Sequence, residues 1–543
     1  MKIMKVLFVD IFTDDSPIDE SVGHGSISAV LRLNDYKTKL VAYNESEIDY
    51  EEIANYKPDI IGFSVQPRTI SIVNSTSEKL SQILPEAIQV IGGYLATNCP
   101  DEILKCMNKI NIALRGEGEY TFLSLIEAIN NKRPLELVEG VSFMRGDEVI
   151  HNNDRQQIED LDSLPYPDRD IIEKYNINTA RVEGARGCTS ACSFCSIHGF
   201  WSNGHKENCV VWRGKSVKRF VDEIEFLVNQ YGITKFHFLD SSYENPYYNS
   251  NRIKEIAEEI ISRNLNISYY VNMRADFHRI ATDDLMSLLV NSGLNTIFIG
   301  IESFNEQDLR LYSKSATVED GIRTINVLKK YSIRTDIGFI NFHPYTTIDN
   351  LYNNAIHLHK FGFSSRLLLV NKLMVFKGTT LYQKMKRDKL FESEFYEIKD
   401  YKYIDNKVAI VDSYIENYIK RTNDSNDGIL NKLDIYEHRH WSLISHLKHY
   451  FSKLSDGNAL SIVDKYEEDM SILLDELNDR NTKWFIGILD IVKGEWDEYK
   501  ADQIMKMYIG EDYLIDLLKK FNSNNLILYR NIIKIRKEYA RLL

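Results

Sequence analysis

Three cysteines, Cys188, Cys192 and Cys195, stand at C-x3-C-x2-C spacing in the stretch GARGCTSACSFCSIHGF (184–200). Thiolates are soft ligands. Three on one short loop can wrap a cube of iron and sulfide and leave its fourth iron without a protein ligand, free to bind a substrate. The competing reading is a zinc knuckle. Structural zinc wants four protein ligands, often as paired C-x2-C, and only His198, His205 and Cys209 stand near enough in sequence to supply the fourth. Ligand count favours the iron–sulfur cluster. Cys99 and Cys106 have no metal spacing and read as small helix-packing residues; Cys209 reads as a free thiol. Three of the six cysteines fall within eight residues. A disulfide scaffold would spread them, so a reducing cytoplasm is expected.

Such a loop must be carried by rigid elements. Residues 180–385 supply a βα series, with strand candidates at 180–187, 235–240, 267–273, 296–302, 334–342 and 366–375. Helix-period stretches at 215–230, 250–263, 282–292, 317–330 and 348–361 intervene. This repetition predicts a complete or partial (β/α) barrel with its functional groups at the C-terminal strand ends. Residues 1–135 alternate apolar runs at 6–12, 59–65 and 87–93 with helix-period stretches at 23–34, 49–55, 70–83 and 100–107. That is the pattern of a doubly wound, Rossmann-like parallel sheet, α/β in class, whose ligands sit beyond the strand ends. Residues 136–179 read as a connector centred on DLDSLPYPDRD (160–170), where two prolines favour extended backbone. Residues 386–543 lose strand signals and read as a helical region. His438, His440, Trp441, His446 and His449 crowd one predicted helix there. Of positions 438, 442, 445 and 449 on one face, only the first and last are histidine, so the helix reads as a packing element.

With Phe194 at its aromatic position, the C-x3-C-x-aromatic-C run resembles the signature of the radical S-adenosylmethionine (SAM) superfamily. The resemblance implies a [4Fe–4S] cluster whose open iron chelates the amino and carboxylate groups of SAM. It also implies reductive cleavage of SAM to methionine and a 5′-deoxyadenosyl radical, with Phe194 flanking the adenine. Downstream pieces are similar to the same family. Asp240 lies in FLDSS (238–242), where the family often has FxDD; Ser241 replaces the second Asp. Arg274 lies in NMRAD (272–276), which resembles the family's RAD segment. Its planar fork could take the SAM carboxylate, with a rim salt bridge to Asp276 as the alternative. Glu302 and Ser303 lie in GIES (300–303), which resembles the G-x-E-S strand. The resemblance gives Glu302 the ribose hydroxyls or the SAM ammonium, assisted by Ser303. His343, in FHPYTT (342–347), departs from the family's G-x-P-G-E-T turn. Substrate contact and a hydrogen-bonded turn histidine both stay open for it.

IGGYLAT (91–97) with Pro100 and Glu102, followed by LRGEGE (114–119), resembles the B12-binding domain that precedes the radical core in one large subgroup. Glycine at strand ends lets backbone approach a large flat ring or its nucleotide tail. Cobalamin contacts are expected from Ser64, Gln66, Gly92, Gly93, Tyr94, Thr97, Gly116 and Glu117, with a solvated loop as the equal alternative for Ser64 and Gln66. The D-x-H-x-x-G motif that supplies a cobalt-ligating histidine elsewhere is absent from residues 1–130, where His24 is the only histidine. DESVGHG (19–25) has the wrong spacing. Cobalt without a histidine ligand is therefore expected, with His24 capping or packing near the first helix.

The chain has 543 residues, 66 Lys+Arg against 79 Asp+Glu and a net charge of -13. The length predicts about three domains. The acidic balance weighs against nucleic acid and anionic membrane as partners. No apolar run of about 18 residues marks a membrane span, and MKIMKVLFVDIF reads as a buried first strand, not a signal peptide. The resemblance implies a B12-dependent radical SAM enzyme, with methylation of an unactivated carbon of a small metabolite, or a peptide, as the expected reaction. The alternative keeps both cofactors but forms or rearranges rings, or oxidises, without methyl transfer. A binding module without turnover is a third reading, which the intact cysteine loop counts against. An external one-electron reductant such as a flavodoxin or ferredoxin is the expected partner.

Overall fold

The computed structural model of the chain describes residues 4–535, apart from 15, 203–211, 245–250, 392–396, 399, 426, 427 and 455. His205 and Cys209 lie outside the described residues, as do the side chains of His198, His438, Trp441, His446 and His449. The chain forms two compact units. One comprises Met1–Ile267 with Val375–Met385 and Ser393–Ile398; the other comprises Ser268–Met374 with Lys386–Glu392 and Lys399–Leu543.

In the first unit, apolar side chains alternate along strand β1 (Lys5–Phe12) so as to serve two cores. Leu7, Val9 and Ile11 enter one core with Ile53, Val73, Leu95 and Ile103; Val6 and Phe8 enter the other with Leu31, Phe122 and Leu125. A strand that feeds both faces must sit inside a covered sheet. Strands β2 (Lys37–Asn44), β3 (Ile60–Ser64), β4 (Ile88–Gly92) and β5 (Ile112–Leu114) follow, then β6 (Val141–Arg145) and β7 (Glu148–His151). Their order is β2-β1-β3-β4-β5-β6-β7. β1 to β5 run parallel. Helices α1 (Val22–Leu33) and α6 (Gly118–Asn130) supply one core. The other takes α2 (Tyr50–Tyr56), α3 (Ile70–Ile83), α4 (Tyr94–Asn98) and α5 (Pro100–Cys106).

Two features of the stretch read as a connector differ from that expectation. β6 and β7 form a hairpin that extends the sheet antiparallel beyond β5. Its two-residue turn has Gly146 first, at φ 62°, as a tight hairpin requires. Second, the proline-flanked segment is bonded to α1. The Asp168 N–H donates to the Gly25 carbonyl (3.0 Å) and the Ser28 hydroxyl bonds the Asp168 carboxylate. A Cβ on Gly25 would stand 2.6 Å from the Asp168 carbonyl oxygen, so this approach needs glycine. Arg169 is buried between Glu20 (2.7 Å) and Glu223 (2.7 Å).

Further along the first unit, β8 (Thr179–Val182) runs parallel to β11 (Lys235–Phe238), and β9 (Ala185–Gly187) pairs antiparallel with β10 (Trp212–Gly214). The single strand expected over 180–187 is thus broken at Glu183 and Gly184. In the second unit, β12 (Ser268–Arg274), β13 (Leu294–Glu302) and β14 (Arg334–Phe339) form a parallel ladder. Helices Asp283–Ser292 and Val318–Lys330 connect these strands. The strand expected over 366–375 is instead a helical turn, Arg366–Leu369, followed later by the short β15 (Val375–Phe376). The Ser365 hydroxyl accepts the Leu368 N–H (3.3 Å), and a run of leucines without β-branching has no reason to resist helix.

The second unit ends in helices Asn406–Ser425, Ile429–Lys453, Gly457–Lys493, Glu498–Ile509 and Glu511–Ile535. Gly457–Lys493 buries Trp484, Phe485 and Ile488 and packs along helix Ile348–Phe361. Among the described residues no helix is long and apolar enough to cross a membrane.

Candidate functional site

The cysteine loop leaves β9 through Gly187, whose φ of 92° suits glycine, and ends at helix Ile197–Ser202. Cys188, Cys192 and Cys195 form no disulfide and are half-buried. The Ser190 N–H points at Cys188 Sγ (3.4 Å) and the Cys195 N–H donates to the Cys192 carbonyl (3.1 Å). From outside the loop, the Leu381 N–H (2.9 Å) and the Thr380 hydroxyl (3.3 Å) donate to the Ser193 carbonyl. Burial pushes the Cys99 thiol up to about 12 and raises that of Cys106, so both remain protonated. Phe194 is half-buried within the loop.

Asp240 is fully enclosed. Its Oδ1 accepts the Gly184 (2.6 Å) and Ala185 (2.9 Å) N–H groups, which bends the chain from β8 into β9. Burial raises its pKa to about 6, against the pull of Arg252 and of those two N–H groups. Within the first unit Asp240 therefore aims the strand that delivers the cysteines.

Arg186, two residues before Cys188, is buried in a cluster of carboxylates. Its Nη1 meets Glu117 (2.6 Å), its Nη2 Glu119 (2.6 Å) and its Nε Glu183 (2.8 Å). Arg213 adds a contact to Glu117 (3.0 Å), whose carboxylate also accepts the Ile158 N–H (2.7 Å). Burial opposes ionisation of Glu119, but Arg186 and the Ser26 hydroxyl outweigh it and hold the carboxyl below its ordinary range. Glu117 and Glu119 flank the start of α6, so the cluster clamps α6 to β9.

Beside this clamp is a slot of about 150 Å³ at the C-terminal ends of β1, β3, β4 and β5. Ser64, Gly92, Gly93, Gly116 and Glu117 line it, and so do Phe200 and Trp201 from the helix after the cysteines. Gly93 (φ 94°) and Gly116 (φ 70°) hold left-handed turns, and a Cβ on Gly92 would meet nothing within 4 Å. The Thr97 hydroxyl donates to the Gly93 carbonyl (2.9 Å) and accepts the Gly116 N–H (2.9 Å), tying the two turns together. Tyr94 packs on Phe376 (5.5 Å) and Gln66 is exposed; neither lines the slot.

In the second unit, Arg274 and Glu302 end adjacent parallel strands. Arg274 forks onto Asp276 through Nε (3.1 Å) and Nη2 (2.8 Å), and reaches the Ser315 hydroxyl (3.0 Å). Glu302 has φ 66° and a buried carboxylate facing Lys314 Nζ (3.2 Å). Burial raises its pKa and Lys314 draws it back. A Cβ on Gly300 would stand 2.5 Å from Glu302 Oε1, so that glycine makes the carboxylate's room. The Ser303 hydroxyl is held by Asp308 (2.7 Å) and Asn354 (3.2 Å). His343 is buried with Nε2 on Asp308 (3.0 Å) and Nδ1 facing the Tyr345 N–H (3.3 Å), the geometry of a turn histidine.

Residues 182–353 match the family model of the radical SAM superfamily, and residues 20–126 match that of the B12 binding domain. The chain belongs to the B12-binding radical SAM family. Its cofactors are accordingly a [4Fe–4S] cluster, SAM and cobalamin. The anaerobic magnesium-protoporphyrin IX monomethyl ester cyclase of Cereibacter sphaeroides is 31% identical over 53% of this chain and 47% of its own. The hopanoid C-3 methylase of Methylococcus capsulatus is 22% identical over 59% and 61%. The chain thus spans about half the length of the first of these relatives. In fold it is similar to the cobalamin-dependent SAM radical enzyme OxsB (TM-score 0.66, 18% identity, 99% of this chain and 81% of that one).

The residues present fit these radical SAM cofactors unequally. Three cysteines outside any disulfide on a pinned loop, with a backbone N–H aimed at one sulfur, suit a cluster. Among the described residues no three His, Cys, Asp or Glu side chains could hold a single ion. A cube places each thiolate on a different iron, so it sets no such requirement. The glycine-edged slot suits a flat ring or its tail. At the strand ends, Glu302 keeps a carboxylate available beside Lys314, whereas Arg274 and Ser303 are engaged by neighbouring carboxylates and Asn354. Sequence reasoning missed the Arg186 clamp and Lys314. Arg186 was legible only as a charge in a strand otherwise headed for burial, GARG.

Proposed function

We propose that the chain is a cobalamin-dependent radical SAM enzyme that methylates an unactivated carbon of a small molecule. One observation carries this reading. Arg186, Phe200 and Trp201, which flank the cysteine loop in sequence, wall the same slot as Gly92, Gly93 and Gly116. When bound, the cluster with SAM supplies a hydrogen-abstracting radical, and cobalamin supplies a transferable methyl group. The chain's task is to hold, orient and exclude water. Cys188, Cys192 and Cys195 would each hold one iron. Glycine turns at 92–93 and 116 would let backbone approach the corrinoid, while Phe200 and Trp201 keep solvent out. Glu302 would receive the SAM ammonium or ribose hydroxyls, and Phe194 would flank the adenine. An external one-electron reductant is required. The acidic composition supports a small-molecule substrate over nucleic acid.

Ring formation without methyl transfer is the second reading, favoured by the 31% identical relative that is named a cyclase. Anaerobic reconstitution with iron, sulfide and cobalamin, followed by incubation with methyl-labelled SAM and candidate small molecules, tests both. Wild type is expected to release 5′-deoxyadenosine and Cys192→Ala to release none. Label in the product supports methylation. Product without label supports rearrangement. No 5′-deoxyadenosine from reconstituted wild type overturns the enzyme reading.

A further inference from the structure

A cavity of about 1300 Å³ opens in the second unit at the N-terminal halves of β12, β13 and β14. In (β/α) barrels the chemistry sits at the other, C-terminal strand ends, and none of Arg274, Glu302, Ser303 and His343 lines this cavity. Its apolar wall includes Tyr270, Phe298, Ile337, Phe363, Leu368 and Ile444. Helices Asp283–Ser292, Val318–Lys330 and Ile348–Phe361 all bring their last turns to it, through Val290, Lys329 and Phe361. Helix C-termini carry partial negative charge. Helix Ile429–Lys453 faces it with Asp434, Glu437 and Lys448. Among the described residues, the charged side chains that line it are met by protein, with one exception. Arg334 bonds Asp336 (3.0 Å), Lys448 bonds Glu467, Lys329 Nζ donates to the Phe361 carbonyl (2.9 Å) and Asp434 is held by Arg366. The exception is Glu437: no described group donates a hydrogen bond to its carboxyl or forms an ion pair with it. Burial and the neighbouring charge of Asp434 push its pKa up to about 8, and Arg366 offsets only part of that rise. Two carboxyl groups thus share an apolar enclosure with one guanidinium. A buried carboxylate without a cation is costly, so the enclosure is one positive charge short.

We propose that this cavity is a second ligand site, for an organic amine with an apolar body, whose ammonium meets the Glu437 carboxylate while the body lies along Phe298 and Ile444. The proposal goes beyond the radical chemistry above and needs none of its cofactors. Each feature of the cavity selects the same class of ligand. The wall takes hydrocarbon or rings out of water, and the volume admits a body larger than a single ring. Three helix C-termini and Asp434 favour a cation and disfavour a carboxylate or phosphate. The ammonium supplies the charge that Glu437 lacks, in a charge-assisted hydrogen bond. An alcohol would make the hydrogen bond without the charge. A bare metal ion does not suit the site: Arg366 already holds Asp434, and among the described residues no three His, Cys, Asp or Glu side chains could hold one.

Equilibrium dialysis of the anaerobically reconstituted full chain against three matched probes tests this. The probes are dansylcadaverine, the alcohol that replaces its ammonium by hydroxyl, and the carboxylic acid of the same length. Bound probe is released and measured by chromatography. Wild type is expected to bind the amine at least about tenfold more tightly than the alcohol, the worth of one charge-assisted hydrogen bond, and the acid more weakly still. In Glu437→Gln the preference for amine over alcohol is expected to fall below about threefold, with alcohol affinity unchanged. A preference that survives Glu437→Gln reports the chain's net charge of -13 rather than this cavity, and overturns the proposal. So does wild type that binds all three probes alike or none of them, results that need no variant to fold. Either leaves the cobalamin and SAM reading standing, because none of the residues assigned to it lines the cavity.

Discussion

Asp240 has two roles that pull against each other. It must accept two backbone N–H groups to turn β8 into β9, and it must do so without solvent. Burial lifts its pKa from 3.8 to about 6. A folded-state pKa raised in this way means the native protein binds more protons than the unfolded chain between about pH 4 and 6. The protonated carboxyl's advantage is complete below that window and is lost as pH rises through it, on the order of 3 kcal/mol at 1.36 kcal/mol per unit. Asp240→Asn keeps an acceptor oxygen and removes the ionisation. Anaerobic denaturant titrations should show the variant gaining on wild type from pH 4 to 7; a difference that stays flat across the window rejects the argument. Residues of this kind were only half legible. FLDSS marked Asp240 as a strand-end carboxylate, but spacing along the chain does not say whether such a carboxylate meets a ligand or a backbone. The same limit applies to Arg274, where both readings were open and the fork is seen on Asp276. The cysteine reading rests on local spacing, which sequence prints directly, and the structure adds that the three stand on one loop outside any disulfide.

At the scale of elements, the join between α6 and β9 is electrostatic. Arg186 contacts Glu117, Glu119 and Glu183 with nearly all of it buried. Removing one member of a buried ion cluster leaves uncompensated charge and costs about 3–5 kcal/mol. Arg186→Gln is expected to lose that much stability by denaturant titration. It is also expected to lose more than half of its iron on anaerobic desalting at temperatures where circular dichroism still reports folded protein. Arg186→Lys should not rescue it, because one ammonium cannot reach the positions a guanidinium fork spans. Full iron retention in Arg186→Gln would separate the clamp from the cysteine loop. The elements themselves were readable where period and punctuation agree. Helices Ile70–Ile83 and Ile348–Phe361 fall where the 3.6-residue pattern puts them. Three features escaped that pattern. The β6–β7 hairpin hid in a stretch judged by its prolines, although its Gly-Asp turn was printed in FMRGDEVIH. The break in 180–187 depends on a carboxylate more than fifty residues away. The leucine run after Ser365 is apolar enough for strand, and only its cap decides for helix.

For the whole molecule, the question is whether the last 140 or so residues append to the fold or belong to it. A pattern along the chain separates consecutive stretches; it cannot show that residues 375–385 return to the first unit, where Leu381 bonds Ser193. Nor can it show what the terminal helices cover. Within the second unit, helix Gly457–Lys493 lies along helix Ile348–Phe361, and Phe485 meets Phe342 ring to ring at 6.2 Å. Tyr401 donates its hydroxyl to the Phe342 carbonyl (3.0 Å), at the segment that follows β14. Trp484, Phe485 and Ile488 are completely buried, so these helices are core rather than cover. Each large side chain of that kind contributes about 3–5 kcal/mol when truncated to alanine, transfer and cavity together. Phe485→Ala should therefore destabilise the second unit by that amount. Removal of residues 400–543 should leave β12–β14 and their helices unable to fold. Limited proteolysis decides between core and appendage. A truncated chain whose 268–374 region is degraded at once fits a shared core, and one that yields that region as a resistant fragment would show the helices to be an addition.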